Sequence, residues 1–375
     1  MQSSTSEAAK IHLRWALTDG VGPILFARIL EKFGDAERAL GAPATAFETI
    51  EGIGRAKADN IARARENDKT ETELAAAAEA DVTVICRDDP VYPHSLKNIP
   101  DAPIVLFVKG ELIPTDQIAI AIVGSRRCSV YGSEQARRFG ELLANAGFTV
   151  VSGLARGIDA FAHHGAVESG GRSIAVMGRG LQEIYPPENA ALARQLLTSG
   201  AWISELPVAT NVRATQFPAR NRIIAGMTLG TLVVEAADRS GALITARLAN
   251  EYNREVFVVP GRLQEASASG TNKLIRDGGG KLITCLEDIL DELGDVGVKM
   301  RPAHDAVEPG SQHAETQPRT PALTAVESRV LCAISADGVL QDEIIQLTSL
   351  PMSEVFATLT ALELKGVMRR LPGQR

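Results

Sequence analysis

Four segments of this chain place glycine beside a hydroxyl or a cation, and a fifth gathers two arginines and an asparagine, residue types that hold an anion. They are Gly124-Ser125-Arg126-Arg127, the stretch 153–159 with Gly153, Arg156 and Gly157, the stretch 217–222 with Arg220, Asn221 and Arg222, the pair Ser240-Gly241, and Gly270-Thr271-Asn272-Lys273. Glycine lets backbone N–H groups come close to an anion, and a helix start just after it adds positive potential. Arginine offers a planar fork that matches phosphate. One such loop alone is an ordinary turn, and Ser240-Gly241 alone reads as a helix cap. Five of them at one edge of a sheet would converge on a polyanion. Catalysis has less support. Asp159 and His163 stand four apart with His164 adjacent, but a metal needs a third ligand that the pattern does not supply. Asp159 is therefore expected at a helix N-terminus, and His163 as a packed, hydrogen-bonded side chain. Glu205 and Glu235 follow apolar runs, where each is able to orient an arginine, and no nucleophile stands beside a base. The expectation is a binding site with no catalytic residue, no metal and no cofactor.

Such loops need a scaffold that brings them to one side. From residue 81 the chain alternates short apolar runs with segments of helical character. The runs lie at 82–86, 104–108, 118–123, 149–152, 173–177, 201–204, 231–235, 256–259 and 281–284. Those from 118 onward are apolar almost throughout, as strands covered on both faces must be. This predicts a doubly wound, mostly parallel α/β sheet over residues 81–295, whose ligands sit beyond the carboxyl ends of its strands. Each anion-type loop follows one of these runs.

Residues 1–80 read as helices broken by two glycine turns, Gly20-Val21-Gly22-Pro23 and Gly52-Ile53-Gly54, each followed by an apolar-periodic segment. These turns resemble helix-hairpin-helix motifs, and Arg55 and Lys57 are suited to a phosphate there. The same segment carries 13 acidic against 10 basic side chains, so a compact helical domain with glycine caps is the competing reading. Residues 296–321 hold Pro302, Pro309, Pro318 and Pro321 with little periodicity and read as a flexible linker. Residues 322–375 return to three helices, followed by a β-like run at 367–371, a winged-helix pattern. With 6 acidic and 5 basic residues this last module serves protein contact as readily as DNA, and its end at Gln374-Arg375 leaves a short wing.

Composition narrows the classes. With 375 residues, 45% hydrophobic and 23% charged, the chain has material for two to three packed domains. Its net charge of −7 excludes a uniformly basic coat, though not a local basic pocket. The apolar runs are far shorter than the roughly 20 residues of a spanning helix, so no membrane span is expected. The start MQSSTSEAAK has no apolar signal region. Cys86, Cys128, Cys285 and Cys332 are scattered without a C-x-x-C pair, which excludes a zinc ribbon or a disulfide framework and fits a cytoplasmic location.

Read together, the loops resemble the DprA/Smf family, the DNA-processing proteins of bacterial transformation. The matching segments are GSRRCSVYG at 124–132, SGLARGIDAFAHHGA at 152–166, GRGLQEIYPPEN at 178–189, SELP at 204–207, FPARNRIIAG at 217–226, VVEAADRSGALITA at 233–246, VPG at 259–261 and GTNKLIRDGG at 270–279. They cover the central domain in order and spacing, and the flanking segments resemble the family's helical N-terminal domain and winged helix. The resemblance implies an extended Rossmann-like domain that binds single-stranded DNA, usually as a homodimer, protects incoming strands and helps load RecA recombinase, with no cofactor. On that basis Gly124, Ser125, Arg126, Arg127, Gly153, Arg156, Gly157, Arg220, Asn221, Arg222, Ser240, Gly241 and Lys273 are the DNA-binding candidates, Arg126 foremost, with Phe217 or Tyr131 available to stack a base.

Two other classes compete. Phosphoribohydrolases of the lonely-guy type share the Rossmann-like scaffold but carry P-G-G-x-G-T followed by a catalytic Glu. Here the stretch 236–245 reads AADRSGALIT, without that Glu. A nucleotide sensor would use the same pocket for a small phosphorylated ligand. No Gly-x-Gly-x-x-Gly follows the first core strand, which disfavours a dinucleotide enzyme.

Overall fold

The computed structural model describes residues 5–63, 69–301, 324–334, 341–348 and 350–364. The chain forms two compact units, Met1–Ala303 and His304–Arg375.

The first unit is built on nine strands: β1 Thr83–Cys86, β2 Val105–Gly110, β3 Ala119–Val123, β4 Thr149–Ser152, β5 Ser173–Val176, β6 Ala201–Ser204, β7 Gly230–Val233, β8 Glu255–Val258 and β9 Lys281–Leu282. All nine apolar runs are strands, with ends shifted by a few residues at most. The order is β1-β2-β6-β5-β4-β3-β7-β8-β9. Every neighbouring pair from β6 to β9 is parallel, and β2 pairs antiparallel with both β1 and β6. The carboxyl ends of β3 to β8 therefore share one edge, and the chain order reverses where β3 lies between β4 and β7. That reversal is the topological switch point where ligands sit in such sheets.

Alternation along the strands explains why both faces are apolar. On β3, Ile120 and Ile122 join a cluster with Phe139, Leu143, Ile158 and Phe257, while Ala119, Ala121 and Val123 face a second cluster with Ile223, Ile224 and Ala246. Helices Val130–Asn145 and Ile158–Glu168 cover the first face, and helices Gln216–Gly226 and Ala242–Glu251 the second.

The N-terminal helices include Glu7–Ala16, capped by Ser6 Oγ on Ala9 N, and Pro23–Phe33. Their buried Leu13, Trp15, Phe26 and Phe47 share one hydrophobic cluster with Val84, Phe107 and Trp202 of the sheet. The change at residue 80 is thus a change of architecture inside one packed unit. At the other end, helix Gly294–Met300 runs past residue 295, where the sequence alone places the start of a linker. Residues 302–321 of that stretch lie outside the described residues, as does the β-like run at 367–371.

The second unit shows helices Ala325–Cys332, Gln341–Thr348 and Met352–Leu364 around Val330, Ile344, Val355, Leu359 and Leu362. No helix among the described residues is long and apolar enough to cross a membrane.

Candidate functional site

A hollow opens at the carboxyl ends of β4 and β5, lined by Arg126, Gly153, Ala155, Arg156, Met177, Gly178, Arg179, Tyr185, Pro186 and Phe217. Its floor is polar and buried. Asp159, at the start of helix Ile158–Glu168, accepts hydrogen bonds from Gly153 N at 3.1 Å and Ala155 N at 3.4 Å. Arg220 Nη1 donates to the carbonyls of Gly153 (2.9 Å) and Val176. A Cβ on residue 153 would overlap the Arg220 guanidinium, so glycine is required where this arginine enters. Burial lowers the Arg220 pKa to about 10, opposed by the nearby Asp159 carboxylate. Burial also raises the Asp159 pKa, opposed by Arg220 and the two backbone donors. Each of the two charges thus opposes the neutralising effect of burial on the other.

His163 lies fully buried in the same helix, with Nδ1 2.7 Å from Ser173 Oγ. Burial pulls its pKa down to about 3, so it is a neutral packed side chain, as the sequence reading expects.

The lip of the hollow is cationic. Arg126 is exposed, sits with its guanidinium 4.9 Å from the Phe217 ring centroid, and has no carboxylate partner among the described residues. Tyr185 extends this surface, its ring 6.0 Å from that of Phe217. Arg156, half exposed, pairs with Glu188. The backbone N–H groups of Arg126 and Arg156 have no protein acceptor among the described residues.

The loop that carries Arg126 is held from beneath. Ser125 N donates to the Glu235 carbonyl at 2.7 Å, and Ile158 N donates to the Ser125 carbonyl at 3.2 Å. Gly157 has φ of +74°, and a Cβ there would overlap the Ser125 carbonyl, which explains this glycine. Gly124 packs against Ile158 and the Glu235 backbone with no room for a side chain. Glu235 is buried, and its carboxylate accepts from Ser129 N at 3.0 Å and from Ser129 Oγ. It orients the helix start at Val130 rather than an arginine. Glu205 does orient one: it pairs with Arg222, which also lies 3.6 Å from Asp101.

The thirteen candidates therefore separate. Arg126, Gly153 and Arg156 line the hollow, and Gly124, Ser125, Gly157 and Arg220 build its wall and floor. Arg127 is exposed beside it, its N–H turned back to Ser125 Oγ. Arg222 is buried in the Glu205 and Asp101 network and does not line the hollow. Asn221 Nδ2 donates to the Gly241 carbonyl, and Ser240 Oγ accepts from Ala242 N, so these three residues tie helix Gln216–Gly226 to the start of helix Ala242–Glu251. Lys273 is exposed in the last turn of helix Ser269–Arg276, also outside the hollow. Sequence reasoning missed Arg179, Tyr185 and Met177 as lining residues. The segment 178–189 carries two of them, and its matching motif is the signal that was available.

A family model described as DNA recombination-mediator protein A matches residues 83–294, and a DprA winged helix domain model matches residues 314–374. The chain is 35% identical to Protein Smf of Synechocystis over 97% of both chains. It is 42% identical to Protein Smf of Escherichia coli over 77% of this chain and 76% of that protein. The X-ray structure of DNA processing protein A from Streptococcus pneumoniae superposes with a TM-score of 0.67 at 32% identity, covering 77% of this chain and 99% of that one. The Helicobacter pylori DNA processing protein A, whose structure describes a single-stranded DNA binding mode, superposes with a TM-score of 0.51 at 27% identity over 56% of this chain and 95% of that one.

Proposed function

Because this chain belongs to the DNA recombination-mediator protein A (DprA/Smf) family, we propose that the hollow beyond β4 and β5 holds single-stranded DNA and that the protein hands the strand to a recombinase. The observation that carries this reading is Arg126: an exposed guanidinium with no carboxylate partner among the described residues, stacked on an aromatic ring at the mouth of a pocket whose floor holds a second, buried cation. Phosphate meets Arg126 and the neighbouring backbone N–H groups. An unstacked base lies against Phe217 or Tyr185, since a ring face accepts any base. Duplex DNA keeps its bases stacked inside and presents no such face, so single strands are preferred without a marked sequence bias.

The other candidates support the site from behind. Arg220 fixes the floor, Arg222 and Asn221 hold helix Gln216–Gly226 in place, and Glu235 is engaged by Ser129. The reading is therefore binding without turnover. Its finer parts are a homodimer of the first unit, RecA as the recombinase partner, protection of incoming strands during transformation, and a cytoplasmic setting. Two pockets in a dimer would engage one long strand with higher avidity.

The test is a fluorescence-anisotropy titration of a poly-thymidine oligonucleotide at several salt concentrations, beside a duplex and mononucleotides. With about four phosphates engaged, log affinity falls against log salt with a slope of roughly −3, from about 0.7 per contact. Salt-independent binding, or equal affinity for mononucleotides, would overturn the reading in favour of a nucleotide sensor. Light scattering at micromolar protein tests the dimer, and an oligonucleotide gel shift with and without RecA tests the hand-over.

A further inference from the structure

One cluster of ligating side chains stands outside the DNA hollow. His12, on helix Glu7–Ala16, lies against Cys86, the last residue of β1, and Asp88 just beyond it. One ligand atom from each falls within 4.8 Å of the other two. His12 is 2% exposed and Cys86 fully buried, while the Asp88 carboxylate reaches solvent.

The histidine's tautomer follows from its partner. Nδ1 lies 2.9 Å from the Ala8 carbonyl, which only accepts, so Nδ1 carries the proton. In the neutral ring Nε2 then presents a lone pair, and it is buried without a hydrogen-bond partner. Nε2 stands 3.5 Å from an Asp88 carboxylate oxygen. A lone pair facing a carboxylate is repulsive, and a cation between them removes the conflict. A ligating imidazole whose other nitrogen donates to a backbone carbonyl is also the usual outer-shell arrangement of a metal site.

We propose that His12 Nε2, Cys86 Sγ and a carboxylate oxygen of Asp88 bind a zinc ion, with water at the fourth position. One nitrogen, one sulfur and one oxygen are all ordinary zinc donors. With bonds of about 2.0–2.3 Å, tetrahedral ligand atoms lie roughly 3.3–3.8 Å apart, and the 3.5 Å between His12 Nε2 and the Asp88 carboxylate already falls in that range. Asp89 is not a fourth ligand, because it accepts from Cys86 N at 2.7 Å. Burial pushes the Cys86 thiol up to about 12, opposed by a hydrogen bond from the Asp88 backbone N–H. Zinc displaces the thiol proton to solvent, since a coordinated thiol is deprotonated. The ion would clamp the first helix to the first strand of the sheet. This proposal is independent of the DNA reading.

The test uses the full-length protein, stripped with a chelator and titrated with cobalt(II), then zinc. The expected result is uptake of one cobalt with a sulfur-to-cobalt charge-transfer band, bleached by one equivalent of zinc, and a melting temperature raised by zinc. Cys86→Ser should remove the band and weaken zinc binding more than about 100-fold, beyond the loss typical of an outer-shell partner. Should Cys86→Ser fail to fold, the solvent-facing Asp88→Asn keeps the band and weakens affinity by at least about tenfold. Cys332→Ser should leave uptake unchanged. A folded wild-type protein without the charge-transfer band, a band that survives Cys86→Ser, or undiminished affinity in Asp88→Asn would overturn the site.

Discussion

Arg126 and Lys57 each sit within three residues of a glycine turn, one at the sheet edge and the other among the N-terminal helices. Lys57 Nζ donates to the Gly52 carbonyl at 3.1 Å, and Arg28 Nη1 to the Glu51 carbonyl at 2.8 Å. Asn60 Nδ2 reaches the Asp19 carbonyl at 2.7 Å and so ties the two glycine turns together. These polar groups close the helical layer on itself. Arg126 meets no carboxylate among the described residues and rests on a ring. The same local pattern therefore gives a structural clasp in one region and an available cation in the other. The acceptors that tertiary packing brings within reach decide between them.

The largest expected effect tests the floor on which this difference rests. Arg220→Met leaves the buried Asp159 carboxylate without its cation, which should cost about 3–5 kcal/mol of stability, read from denaturant unfolding. An unchanged unfolding midpoint would mean that the floor does not support the pocket. Next, Arg126→Ala should weaken single-strand binding by roughly 1–3 kcal/mol with an unchanged melting curve and a salt slope smaller by about one contact. Arg126→Lys should recover part of the loss, because Lys lacks the planar fork. Wild-type affinity in a folded Arg126→Ala protein would erase the contrast with Lys57.

Acid should find the floor as well. The His163 pKa falls from 6.5 to about 3 on folding, so below 6.5 the unfolded chain binds the extra proton. Stability is full above pH 6.5 and is lost as pH falls from there toward 3, by at most about 1.4 kcal/mol per pH unit. Unfolding curves between pH 7 and 4.5 should show this slope, and His163→Gln should flatten it. A smaller change is expected for Phe217→Leu, which removes a stacking face and should lower single-strand affinity by about 1 kcal/mol in the anisotropy titration. Smallest of all, Lys57→Ala should shift stability by no more than about 0.5 kcal/mol and leave the oligonucleotide titration where it was. A loss as large as that of Arg126→Ala would make the helical layer a second DNA surface.

The sheet was legible because its strands are buried on both faces. Runs such as 118–123 and 256–259 are apolar without interruption, the pattern of a short strand covered on both faces. Parallel order then sends the glycine loops to one edge, so the place of the site was legible too. The division of labour among its arginines was not. Arg220 and Arg222 stand two residues apart on one helix, about 200° around its axis, so one enters the pocket floor and the other a carboxylate network on the opposite side. Tyr185 joins Phe217 across 32 residues of chain, and His12 meets Cys86 across 74. The sequence by itself determined element type, the order of the strands along the chain and the placing of the loops rich in glycine and arginine after them, because each depends on residue type and short-range period. Only the tertiary structure decided which cation is satisfied internally and which is left for a ligand, because that depends on acceptors brought close from distant parts of the chain.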